Sequence, residues 1–388
     1  MNALATILAA MLAGLVASGC ATPAGDAPTR TAFLADQRFA PPSVRVDAAD
    51  VFAVSPAMKE YLAGPAADKL RQMGSQKGLV DALYSSGELK LDYDSAMTRN
   101  AAQAFEARAG NCLSLVIMTA AFAKELQLGV YYQSVFTDET WARSGDIQFA
   151  IDHVNLSIGK RVSEIDRSAR FQSVITVDFL PPSDTGKQRA RILAENTVVA
   201  MYLNNRAAES LARGAVDDAY WWAREAILQD AALARGYNTL GVVYRRHGDL
   251  QLALEVLAHA YALEPDNPQV VSNLAQVNID QGRNAEAAVL LQRLAQLEAE
   301  PPFVYFDRGQ EALRQGDVVT ANALFARQVD RAPYYHEFHY WLAVTQARLG
   351  HPRQARKHLE MAMDTSTTRG DHDLYAGKLA RLQERMAQ

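Results

Sequence analysis

The stretch Tyr237 to Pro265, YNTLGVVYRRHGDLQLALEVLAHAYALEP, decides the fold of the C-terminal half of this chain. Its Gly248 belongs to a column, Gly214, Gly248, Gly282, Gly316 and Gly350, that recurs every 34 residues. Ala219, Ala253, Ala287, Ala321 and Ala355 keep the same step, as do Ala207, Gly241, Ala275, Gly309 and Ala343. Small residues in the last two columns let two antiparallel helices approach closely. Glycine in the first column can take the left-handed backbone conformation that ends a helix. A fixed period of this length implies stacked helical pairs.

Tyr237, Leu240, Gly241, Tyr244, Gly248, Ala253, Ala260 and Pro265 resemble the tetratricopeptide repeat. The spacing predicts five such repeats within 191–369, and residues 370–388 read as the solvating cap helix that a solenoid end needs. The resemblance implies a protein or peptide partner in a concave groove lined by the first helix of each unit. Projecting the register puts Arg246, Arg314 and Arg348 in one groove column, and Asn204, Asn238, Phe306 and Tyr340 in another. An acidic or carboxylate-bearing peptide suits that surface. His336 with His339, and His351 with His358, have helical spacings, but no carboxylate or Cys companions occur with convincing spacing, so no metal is expected.

Between residues 21 and 246 the chain has one cysteine, Cys112, and one histidine, His153. Gly110-Asn111-Cys112 heads an apolar helical run from Leu113 to Leu128. The stretches Val130 to Phe136, Val154 to Ile158 and Val174 to Leu180, rich in β-branched and aromatic residues, read as strands. A helix start and an imidazolium both stabilise a thiolate, so a cysteine placed this way is a candidate nucleophile. His153 can deprotonate the thiol and protonate a leaving amine, and Asp178 can fix its tautomer, although Asp146 and Asp152 also lie near the histidine. Alternation along the strand puts His153, Asn155 and Ser157 on one face and Val154, Leu156 and Ile158 on the other.

The order Cys112, His153, Asp178, with members 41 and then 25 positions apart, resembles the transglutaminase-like superfamily. The resemblance implies an α+β papain/transglutaminase-like domain over residues 31–190, its nucleophile opening a buried helix and its His and Asp on two following antiparallel strands. One oxyanion donor should be the backbone N–H of Cys112, and the side-chain donor is Tyr93 or Gln103. Trp141 is a candidate for the cleft wall. The implied chemistry is acyl transfer from a protein or peptide amide through a thioester, resolved by water or by an amine, with no cofactor. The alternative is a non-catalytic envelope scaffold that uses its repeats for protein–protein interaction.

Ala3 to Ala17 is apolar and too short to span a bilayer, and it leads into Ala17-Ser18-Gly19-Cys20. This resembles a bacterial lipoprotein signal peptide over 1–19, with Cys20 as the lipidated residue and 20–30 as a tether. Ala21 in place of Asp implies the outer membrane. Lipidation of Cys20 would leave Cys112 as the single thiol, so no intramolecular disulfide is expected. A formal charge of −5 argues against nucleic acid as a partner. Pro181-Pro182 through Lys187 marks the expected domain boundary, with helical periodicity resuming near Arg189.

Overall fold

A computed structural model describes residues 31–85, 92–94, 97–144, 147–159, 174–179, 190–298, 300–333, 335–366 and 368–387. Residues 31–34 form a turn, closed by the Leu34 N–H on the Thr31 carbonyl at 3.1 Å. From Ala35 onward the chain forms one compact unit. Its first described α-helices are α1, Pro56–Ala63, α2, Ala67–Met73, and α3, Ser75–Val80, after two 3-10 turns at Asp36–Arg38 and Ala48–Asp50. The short strand β1, Asp92–Tyr93, precedes α4, Ala101–Ala107, and pairs in parallel with β2, Ala109–Gly110.

Helix α5, Cys112–Glu125, is buried from Cys112 through Ala123. A helix that is apolar all round must be enclosed on every side. It lies against the sheet formed by β3, Gly129–Ser144, β4, Ile147–Gly159, β5, Ile175–Val177, and β6, Ala190–Leu193. The strand order is β5-β4-β3-β6, with every pairing antiparallel. Leu156 stands opposite both Tyr132 and Val177, and Val154, Leu156 and Ile158 are fully buried.

The segment after Lys187 differs from the expectation of immediate helix. Residues 190–193 pair with β3, from Tyr132 opposite Leu193 to Val135 opposite Ala190. Edge pairing satisfies the backbone of this short stretch. The helix begins two residues later with α6, Glu195–Ala212.

Ten helices then form five consecutive pairs. They are α6 with α7, Val216–Gln229; α8, Ala234–His247, with α9, Leu250–Leu263; α10, Pro268–Asp280, with α11, Asn284–Leu297; α12, Val304–Arg314, with α13, Val318–Arg331; and α14, His336–Arg348, with α15, Pro352–Asp364. Helix α16, Arg369–Ala387, packs on α15. The small columns sit as the period requires. Ala219, Ala253, Ala321 and Ala355 are fully buried, and Ala287 nearly so. All five glycines of the first column have φ between 73° and 96°, the left-handed region where a Cβ would be strained.

The array has one interruption. Consecutive pairs pack against each other except at α11 and α12, which approach far less closely. The segment between them is fastened to the fourth pair, with Arg331 donating to the carbonyls of Glu300 (2.8 Å) and Pro301 (3.1 Å), and Gln328 to that of Pro302 (2.7 Å). Val289 and Leu291 on α11 are exposed.

Residues 35–43 lie on the repeats. Phe39 stacks on Tyr220 with ring centroids 4.0 Å apart and near-parallel planes. The Ala40 N–H donates to Asp217 and the Ser43 N–H to Asp218, while Trp221 Nε1 donates to the Ala40 carbonyl at 2.7 Å. The chain is thus strapped to the first two helical pairs before it enters the α+β region.

Candidate functional site

Cys112 is the first residue of α5 and is 5% exposed. It is in no disulfide. The helix starts here because Asn111 is its cap: Asn111 Oδ1 accepts the Ser114 N–H at 2.9 Å and the Ser114 hydroxyl at 2.8 Å. The thiol therefore sits in the first turn, where the helix dipole favours an anion.

His153 lies on β4, its backbone paired opposite Val135 beside a register shift in β3. The side chains of His153 and Tyr93 lie outside the described residues, as do those of Trp141 and Asp152 and the whole of Asp146. Asp178 follows β5 directly, and its Oδ2 accepts from Asn155 Nδ2 at 3.0 Å. Asn155 is 6% exposed, and its Oδ1 finds no partner among the described residues. One step further along the same strands, Ser157 Oγ lies 2.9 Å from Thr176 Oγ1 and accepts from Gln133 Nε2. The Tyr84 hydroxyl bonds to that of Thr119 on α5, and the Tyr84 ring meets Phe179 edge-on at 5.4 Å. These contacts tie the end of β5 to the helix that carries Cys112. Burial pushes the Tyr84 phenol well above its ordinary range, so it stays neutral.

Gln103 is corrected from oxyanion donor to capping residue. Its Oε1 accepts the Asn100 N–H at 3.2 Å and its own N–H donates to Asn100 Oδ1 at 2.9 Å, a reciprocal capping box at the exposed start of α4. The pattern Asn-x-x-Gln was legible in the sequence as a helix start.

The repeat residues separate into three groups. Arg246, Arg314 and Arg348 are exposed near the C-terminal ends of α8, α12 and α14, with Arg314 paired to Glu311 at 2.5 Å. Asn204 and Asn238 are half-buried, and Asn238 Oδ1 accepts from Asn273 of the next pair at 2.9 Å. Phe306 is a correction, whereas Tyr340 is half-buried. Phe306 is 3% exposed, with Phe325 and Phe338 at ring distances of 5.8 and 5.2 Å, because burial of an aromatic ring outweighs its column position. Tyr340 is partly covered by Tyr375 of the cap helix at 5.2 Å.

Two histidines of the last pair form a stacked couple, His339 Nδ1 lying 3.0 Å from His358 Nδ1 and His339 Nε2 2.7 Å from the Pro333 carbonyl. Among the described residues, no group of three His, Cys, Asp or Glu side chains could hold a metal. Burial, with the His339 ring and Lys357 nearby, lowers the His358 pKa from 6.5 to about 4, and burial lowers that of His339. Below pH 6.5 the unfolded chain binds more protons than the folded one. Stability present above that pH is therefore lost on descent towards 4. The expected loss is on the order of 1 kcal/mol after discounting for partial exposure. Wild type should lose more of its Tm between pH 7 and 4.5 than His358→Gln; equal losses would mean the couple does not titrate with folding.

Thr98, Arg206 and Glu209 were not singled out from the sequence. They meet beside the Asn111 cap, and no local pattern announces a junction between residues about a hundred positions apart.

A family model described as tetratricopeptide repeat matches residues 244–303. Together with the helical pairs, this establishes a region of tetratricopeptide repeats. Among solved structures, the chain is similar to YrrB, described as a TPR protein with an unusual peptide-binding site, at 22% identity over 46% of this chain and 92% of that one, with a TM-score of 0.25. It is also similar to Pseudomonas aeruginosa pilF at 21% identity over 48% and 84%, TM-score 0.29, and to MamA from Desulfovibrio magneticus RS-1 at 17% over 44% and 96%, TM-score 0.26. No curated protein matches. Among the described residues, no helix is long and apolar enough to cross a membrane.

Proposed function

We propose that this protein is a cell-envelope scaffold whose tetratricopeptide repeats hold an acidic protein or peptide segment, with a lipid on Cys20 fixing it to the outer membrane. The supporting observation is the set of exposed guanidinium groups of Arg246, Arg314 and Arg348, at equivalent turns of three first helices. Arginine forks suit carboxylates. Residues 1–30, including Cys20, lie outside the described residues, so the lipid assignment rests on the sequence alone.

The test is fluorescence anisotropy with a labelled acidic peptide at low salt, where charge is least screened. Reversing the three arginines to Glu should weaken binding at least tenfold, and a lysine-rich control should not bind the wild-type protein. Equal binding of the acidic peptide to both proteins removes this reading.

A second reading is favoured by the packing of α5, which Cys112 opens, against β4, which carries His153, with Asp178 held by Asn155 at the neighbouring strand end. On this reading the α+β region is a papain/transglutaminase-like domain. The Cys112 thiolate attacks an amide carbonyl carbon, the C–N bond breaks as His153 protonates the departing amine, and a thioester remains for water or a second amine to resolve. Its signature is a thiol more reactive than free cysteine near neutral pH. Iodoacetamide labelling of Cys112, followed by peptide mass spectrometry, should slow about tenfold in His153→Ala, less than the 10²–10⁴ typical of a full acid–base role because alkylation uses only the activation of the thiol. Labelling no faster than free cysteine, or indifferent to His153, leaves only the scaffold.

A further inference from the structure

Helix α6 belongs to the first repeat, yet one of its faces is turned to the helix start that carries Cys112. Thr98, 1% exposed, is the contact point. Its N–H donates to Glu209 Oε1 at 2.6 Å, its carbonyl accepts from Arg206 Nη1 at 3.2 Å, and its hydroxyl oxygen accepts from Asn205 Nδ2 at 3.3 Å. Arg206, Asn205 and Glu209 are all on α6. The same Thr98 oxygen accepts from Asn111 Nδ2 at 2.9 Å. Asn111 in turn caps α5 through its Oδ1, and the Arg99 N–H closes the circuit on Ser114 Oγ at 2.8 Å.

Capping requires the Asn111 carboxamide to hold one orientation, oxygen towards the Ser114 N–H. An amide can satisfy that only while its NH₂ has an acceptor on the other side. Thr98 Oγ1 is that acceptor, and Thr98 itself is held on three sides by the first repeat. Arg206 is fixed by Glu209 at 3.2 Å, and its guanidinium lies 5.5 Å from the Trp222 ring on α7. The Glu209 carboxyl is buried, which pushes its pKa up against the pull of Thr98 and Arg206. Such a group is retained only with its partners in place.

We infer that Arg206 and Glu209 are positioning residues for the Cys112 thiol: through Thr98 they fix the Asn111 cap, so the first repeat forms part of the thiol site. This rests on the thiol reading given above. A purely structural junction would alter stability alone. A positioning role must also alter the thiol, because the first-turn N–H groups stabilise the thiolate only while the cap holds them in register.

The experiment measures the rate of Cys112 labelling by iodoacetamide against pH in the full chain, with Tm recorded for each variant. Thr98→Val keeps the side-chain volume and removes the hydroxyl that accepts from Asn111 and Asn205, while the backbone bonds of residue 98 to Arg206 and Glu209 can remain. Arg206→Ala removes the support from the repeat. Both should slow labelling at neutral pH at least fivefold and move the midpoint of the pH–rate profile upward. Arg206→Lys should recover part of the rate, and Glu209→Gln, which still accepts the Thr98 N–H, should stay nearer wild type than Glu209→Ala. If Arg206→Ala does not fold, Thr98→Val decides. Profiles superimposable on wild type in a folded Thr98→Val overturn the inference while leaving the thiol reading intact. Wild-type labelling no faster than free cysteine removes the thiol reading, and the inference with it.

Discussion

Phe39→Ala is expected to destabilise the folded chain by about 3 kcal/mol, the low end for losing a buried aromatic side chain. Phe39 is 7% exposed and contacts three rings: Tyr220 at 4.0 Å, His247 at 4.5 Å and Tyr244 at 5.8 Å. The polar contacts around it weigh less. The Arg38–Asp249 pair at 2.6 Å leaves its arginine 49% exposed, and such pairs contribute at most about 1 kcal/mol. The ring therefore decides whether residues 35–43 stay on the repeats. Hydrogen exchange should show the loss in α7 and α8, roughly a hundredfold faster at their most protected amides if exchange follows the opening equilibrium. Protection unchanged in those two helices would mean that the strap is a passive surface layer.

The strap also marks where reading the sequence stopped. Asp36 to Ser43 is polar and contains Pro41 and Pro42, so nothing in it has a helical or strand period. Its partners lie about 180 positions away, at Asp217, Asp218, Tyr220 and Trp221, and only tertiary packing reveals them. The repeats were legible for the opposite reason. A left-handed glycine after each first helix and a buried alanine at each crossing are local demands, repeated every 34 residues, and they need no distant partner. The helix start at Cys112 was legible too, since Asn111 is the preferred type of capping residue.

Register alone failed at Phe306, because a period assigns a position to a face without asking what covers that face. Burial of the ring among Phe303, Phe325 and Phe338 answered the second question. At residues 190–193 the error was of another kind. Ala-Arg-Ile-Leu is compatible with helix by propensity, and pairing with β3 overrides so weak a preference. Thr98 shows a third limit. It joins the capped helix of Cys112 to the first repeat, and a lone threonine in a loop carries no signal of that.

The interruption between α11 and α12 makes the second large effect local. Gly309→Leu should cost about 2 kcal/mol, and only in the last two repeats. A Cβ at Gly309 would stand 2.7 Å from Cε1 of Phe325, closer than real Cβ atoms come to their neighbours. Phe325 is fully buried, with Phe306 and Trp341 rings at 5.8 and 6.3 Å, so it has little room to withdraw. Overpacking of this sort costs about 3 kcal/mol at the upper end of its usual range, and the gain from replacing a mid-helix glycine offsets about 1 kcal/mol. In a solenoid each repeat feels its neighbours and little else. With α11 and α12 barely in contact, destabilisation from Gly309→Leu should stop at that step. Exchange should accelerate roughly 30-fold in α12 to α15 and stay unchanged in α6 to α10, the reverse of the pattern expected for Phe39→Ala. If either variant loosens both sets of helices equally, the repeats fold as one cooperative unit, and the interruption has no energetic meaning.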